Sequence, residues 1–180
     1  MADGRAWLKH WPLYISALLL AAALVIGYIC FFSPVTTVVL VRHAEKSQTP
    51  PDDPPLSPQG EARAQALVRI LEGANVRAVY ATEFRRTQQT VKPLADHLGL
   101  PVTQISGKDE DALVTHLLSY HRGEAVVVAG HSNTVPSIIQ KLNGDQIPQI
   151  ADTEYDKLFV VTVYRFGKAK VVQLRYGNPG

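Results

Sequence analysis

The sequence predicts an α/β fold: a three-layer sandwich with a largely parallel central sheet flanked by helices, preceded by one transmembrane helix. Three observations predict it. Short strand-like runs at 36–42, 77–81 and 125–129, the first and last rich in valine, alternate with stretches of helical apolar period. This is the pattern of strands covered on both faces and joined by crossover helices. Two of the runs end on a histidine, "VVLVRHAE" (38–45) and "VVVAGHSN" (126–133), at the edge where open α/β sheets bind ligands. Ahead of them, Leu13 to Phe32 is twenty residues without a charge, about the length a helix needs to cross a bilayer.

The elements follow in order. A tail at 1–12 carries Arg5, Trp7, Lys9 and Trp11, and Tyr28 lies near the far end of the apolar segment 13–32. Aromatic residues at both ends suit interface anchors, and the basic residues in front favour an N-inside orientation with the rest translocated. The domain at 33–180 would then lie outside the cytoplasm, on the periplasmic side of a bacterial cell. A cleaved signal peptide, giving a secreted protein, is the alternative, but "GYICFFSP" offers no small-x-small cleavage site. A buried core helix ranks third.

After the first strand, "KSQTPPDDPP" (46–55) is a loop, since its four prolines oppose helix and ladder alike. Ser57-Pro58 predicts an N-cap followed by proline at the first helical position. Ala64, Leu67, Val68 and Leu71 form the helix stripe, and Gly73 ends it. The next helix carries Val91, Leu94, Ala95 and Leu98 inward and stops at Gly99, with Pro93 implying a kink or a late start. Residues 110–121 are helical with Leu113, Leu117 and Tyr120 inward. The last helix aligns Val135, Ile138, Ile139 and Leu142 before Asn143-Gly144. "LFVVTVY" and "KVVQLRY", joined by "RFGKA", read as a terminal hairpin.

Composition narrows the function. A formal net charge of +2 with no basic block excludes a nucleic-acid binder. The single cysteine, Cys30, excludes an intrachain disulfide and a thiolate zinc site. The roughly 145 residues after the apolar segment suffice for one core, and nothing suggests a second soluble domain or fixes an oligomeric state.

His10, His97, His116 and His121 fall at a membrane flank or on helices and have ordinary surface or core explanations. His43 and His131 do not, because each follows a strand at the ligand edge. Arg42 sharpens the point: a cation ending a buried strand is costly unless it meets an anion, and its fork matches phosphate oxygens. "SNTVPSIIQ" after His131 opens a helix whose free N–H groups face the same place. "ATEFRRTQQT" sets Arg85 and Arg86 at another helix start. Cations, two imidazoles and a helix N-terminus make a phosphate site and not a metal site.

"VRHAEK", "TEFRRTQQT" and "GHSN" together resemble the histidine phosphatase superfamily, the phosphoglycerate-mutase-like clan, over about Thr37 to Leu142. "PLSPQGEARAQAL" and "DTEYDKLFVV" are similar to segments of its small phosphatase-type members. The resemblance implies a histidine phosphatase domain at 33–180 that works without metal or other cofactor on a phosphorylated small molecule or phosphoprotein. His43 becomes the phosphohistidine nucleophile, Arg42 and Arg86 grip the phosphoryl oxygens, and His131 contacts the same group. Arg86 is chosen over Arg85 because the family pattern places its arginine four residues before a threonine, here Thr90; Arg85 is then a solvated helix residue. Ala44 stands where glycine is commonest. For the general acid the candidates are Asp109, Glu110 and Glu45, each with an ordinary reading as a helix-start or solvated residue. Asp152, Glu154 and Asp156 read as exposed edge residues. A phosphoglycerate-mutase-like transferase is the rival enzyme, though Thr90 to Ala125 leaves little room for a substrate-closing insert. A catalytically silent phosphate- or phosphoprotein-binding module on a membrane tether is the rival outside catalysis.

Overall fold

Thr36 to Arg42 are buried except for the half-buried Thr37, and they form the spine of the sheet. In a computed structural model that describes residues 10–32, 34–166 and 168–178, β1 runs Pro34–Arg42. β2 (Val76–Thr82), β3 (Val102–Ile105), β4 (Ala125–Gly130), β5 (Lys157–Tyr164) and β6 (Lys170–Arg175) complete one sheet in the order β3-β2-β4-β1-β5-β6. β3, β2, β4 and β1 pair parallel; β5 is antiparallel to both β1 and β6. The terminal hairpin and the largely parallel sheet are therefore as the sequence predicts, with β5 inserted at the antiparallel side.

The helices cover both faces. α2 (Pro58–Leu71) and α3 (Arg85–Leu98) pack Leu67, Leu71, Val91 and Leu94 on Val39, Val41, Val79 and Val127. α4 (Glu110–Tyr120) and α5 (Thr134–Lys141) pack Leu113, Leu117, Val135 and Ile139 on Val38, Leu40, Val126 and Val128. Alternate β1 residues thus enter opposite cores, as strand geometry requires. The N-cap forms as read, with Ser57 Oγ accepting from Gly60 N–H at 3.2 Å.

Four readings need correction. β3 was not foreseen: its short "VTQI" is half exposed at the sheet edge and carries no apolar run. Pro93 does not delay α3, which starts at Arg85. Tyr120 is 73% exposed and leans on the His116 ring, because Leu113, Val114 and Leu117 already fill the inward face. Asp156 is buried, not an edge residue, and accepts from Arg175 Nη1 at 2.6 Å. His116 and His121 have a packing role, both meeting the Tyr80 hydroxyl (3.1 and 2.6 Å), while Glu124 takes the other His121 nitrogen.

The chain separates into two units at the Ser33/Pro34 boundary. In the first, the helix α1 (Trp11–Phe32) is apolar and long enough to span a membrane or to act as a signal sequence. Arg5, Trp7 and Lys9, on which the expected orientation and part of the aromatic flank rest, lie outside the described residues.

Candidate active site

The register of β1 against β4 sets Arg42 beside Gly130, so the next residues, His43 and His131, leave the sheet side by side. His43 N–H donates to Gly130 O at 2.9 Å, and the two imidazole centroids are 5.6 Å apart. β2 lies on the other side of β4, and its last residue, Thr82, places Oγ1 3.0 Å from His131 Nε2. α3 starts just beyond and carries Arg86 in. Arg42, His43, Arg86 and His131 line one cavity of about 430 Å³ with Lys46, Ser132, Asn133, Asp152 and Tyr155.

The His43 ring is oriented by its own chain. A carbonyl can only accept, so the 2.8 Å contact with Ala44 O makes Nδ1 the donor. Nε2 then carries the lone pair. Ala44 N–H in turn donates to Thr90 Oγ1 at 2.9 Å, and that hydroxyl donates to Arg86 O at 2.7 Å. Thr90 therefore couples the histidine loop to the arginine helix. Burial first, then the charges of Arg42, Arg86 and His131, pull His43 down to about 3 against the Ala44 hydrogen bond. Burial and Arg86 likewise pull His131 down to about 4, with Glu83 opposing. Both imidazoles are neutral at pH 7.

Arg42 is 5% exposed. Its Nη1 donates to Ala151 O (2.7 Å) and Glu154 O (3.1 Å), its Nη2 lies 3.6 Å from Asp152 Oδ1, and Tyr155 stacks on the guanidinium at 4.3 Å. Arg86 lies over the Phe84 ring at 4.3 Å with Asp53 Oδ1 at 3.9 Å, and burial lowers its pKa. The Nε atoms of both are buried and have no partner among the described residues. Two cations, a neutral imidazole with a free lone pair and the start of α5 suit an oxyanion bound for in-line attack. Among the described residues no group of three or more His, Cys, Asp or Glu side chains is placed to hold a metal ion.

The structure thus brings together His43, Arg42, Arg86 and His131, and leaves Arg85 outside with its backbone N–H on Asp53. None of the three carboxylates named from the sequence lines the cavity. Glu45 is clamped by Arg63 Nε and Nη2, with contacts of 2.6–3.0 Å. Asp109 caps α4 through Ala112 N–H, and Glu110 bonds the Ser137 hydroxyl. Their charges already have partners. Sequence reasoning missed Asp152 and Tyr155 as site residues. The signal was present in "DTEYDKLFVV", whose alternation belongs to a loop that folds back onto Arg42.

Residues 38–111 match the family model of the histidine phosphatase superfamily, branch 1. The protein histidine phosphatase SixA, solved with tungstate, is 19% identical and superposes with a TM-score of 0.62, covering 77% of this chain and 96% of that one. A SixA-type protein from Agrobacterium tumefaciens is 17% identical (TM-score 0.59, 79% and 98% covered). A mycobacterial glucosyl-3-phosphoglycerate phosphatase, solved with inorganic phosphate, is 15% identical (TM-score 0.60, 79% and 97% covered). No curated protein matches the sequence. The chain is therefore similar to the histidine phosphatase superfamily over residues 38–111, and it shares the fold of these solved structures.

Proposed function

We propose that the domain is a metal-independent phosphohydrolase that cleaves a phosphate monoester or a related phosphorylated compound through a phosphohistidine on His43. The observation that carries this is the convergence of His43, Arg42, Arg86 and His131 on one cavity, with His43 Nδ1 committed to Ala44 O. The free Nε2 attacks phosphorus as the bond to the leaving oxygen breaks; water then attacks, the N–P bond breaks and phosphate leaves. The protein's part is positioning and charge stabilisation. Arg42, Arg86 and His131 supply it. We further propose that α1 tethers the domain to a membrane as a signal anchor.

The neighbours are named for phosphohistidine on protein and for a phosphorylated glycerate, so a substrate panel should hold a phosphohistidine peptide beside small phosphate esters. His43→Ala should abolish turnover without unfolding the chain. During wild-type reaction an acid-labile, base-stable phosphoryl label should sit on His43. Turnover that survives the substitution sinks the mechanism; phosphate bound by the wild type without turnover of any substrate points to a silent binding module.

A further inference from the structure

We propose that Asp152 is the general acid and base of this site, an assignment that rests on the phosphohistidine reading above. Asp152 is the one carboxylate among the described residues lining the cavity. The backbone around it is fixed: Ile150 N–H donates to Ser132 O at 3.2 Å, and Arg42 Nη1 holds Ala151 O and Glu154 O. Its side chain is 96% exposed at the mouth, 3.6 Å from Arg42 Nη2. The phosphoryl oxygens seat inward, on the buried arginine and the imidazoles, so the leaving group exits on the solvent side where Asp152 stands. The other nearby carboxylates are committed. Glu83 accepts from Gly107 N–H at 2.9 Å, and hydrogen bonds from its own backbone and Gly107 hold it below the usual carboxylate range. Asp53 accepts from Arg85 N–H and faces Arg86.

Substrate arrival itself prepares the acid. A phosphoryl group takes the Arg42 Nη2 donor that faces Asp152, while Nη1 keeps Ala151 O and Glu154 O, and it brings a negative charge beside the carboxylate. The side chain, released from the arginine, is then placed to exchange a proton with the leaving oxygen. As His43 Nε2 bonds to phosphorus, the leaving oxygen takes the Asp152 proton and departs as an alcohol. The resulting carboxylate then takes a proton from the attacking water as the O–P bond forms and the N–P bond breaks. Phosphate leaves, and Asp152 ends protonated as it began.

The test is leaving-group dependence in the detergent-solubilised full chain. Dinitrophenyl phosphate releases a phenolate that needs no proton, whereas an alkyl phosphate must be protonated as it leaves. Asp152→Asn should lose about a hundredfold or more in kcat/KM on the alkyl ester, by the usual scale of general acid catalysis. The loss on the dinitrophenyl ester should be at least about tenfold smaller, and Asp152→Glu should restore part of the difference. Equal losses on both esters would overturn the assignment and leave Asp152 a binding residue; no loss on either would place the acid elsewhere. Label on His43 of the wild type, read with the dinitrophenyl ester, reports separately on the phosphohistidine reading.

Discussion

At the residue scale, adjacent arginines have opposite fates because they are the first two residues of α3, and successive helix positions point about 100° apart. Arg86 is tucked over Phe84 and lines the site, whereas Arg85 is exposed and contributes its backbone N–H to Asp53. Arg86→Ala should lose roughly 2–4 kcal/mol of transition-state stabilisation, the scale of one lost oxyanion donor. Arg86→Lys should also be impaired, since a point charge cannot form the two-pronged fork. Arg85→Ala should stay within about 0.5 kcal/mol in stability; kinetics of the three variants decide. The histidines give a pH prediction. Both have folded values (about 3 and about 4) below the ordinary 6.5, so the unfolded chain holds the proton more tightly. Stability from this source is complete above about 6.5 and is lost as pH falls towards 4. The slope is about 1.4 kcal/mol per pH unit for each group. Denaturant titrations in phosphate-free buffer should show that fall between pH 6.5 and 4, and His43→Asn should flatten it. An unchanged slope would mean that the imidazoles stay solvated.

At the element scale, legibility followed the strength of the local pattern. β1, β4 and the four helices of the domain carry long apolar runs or stripes, and the strand-end histidines could be paired in advance because parallel neighbours share an edge. Elements held by tertiary contact were not visible. β3 exists because β2 offers it an edge, and Asp156 is buried because Arg175 lies opposite on β6. Glu45 shows the same limit within the site motif. Next to Lys46 it reads as solvated, yet Arg63 reaches it from α2 and also donates to Tyr176 O (2.7 Å) and Asn178 O (3.0 Å). That contact spans the domain from Glu45 to Asn178. The first turn of α2 packs so closely there that a side chain at Gly60 would overlap the Glu45 carbonyl. Glu45 is thus structural: removing one partner of such a buried pair typically costs on the order of 3–5 kcal/mol. The loop 150–156 was misread for the opposite reason, since exposed carboxylates before a strand look ordinary until their backbone is seen clasped by Arg42.

At the scale of the whole molecule, the two units differ in kind: one is a folded domain and the other a single apolar helix. Both large cores of the domain are built from Val38 onward. Release of the domain by a protease cutting near the Ser33/Pro34 boundary should therefore yield a soluble protein that unfolds cooperatively. In α1, Leu13, Leu18, Leu19, Leu20 and Leu24 are each more than 60% exposed. Burying apolar area gains about 25 cal/mol per Å², so an apolar medium would meet the demand of this surface, and the helix already satisfies its own backbone as a bilayer would require. A signal anchor and a cleaved signal meet that demand for different times, one permanently and one only during export. If α1 is an anchor, protein taken from its native membrane should resist extraction by salt, dissolve in detergent, and show by mass spectrometry an N-terminus that still includes Trp11 to Phe32. A mature start near Ser33 would instead mean that α1 acts only during export and that the domain is released, with the residues of its cavity all retained.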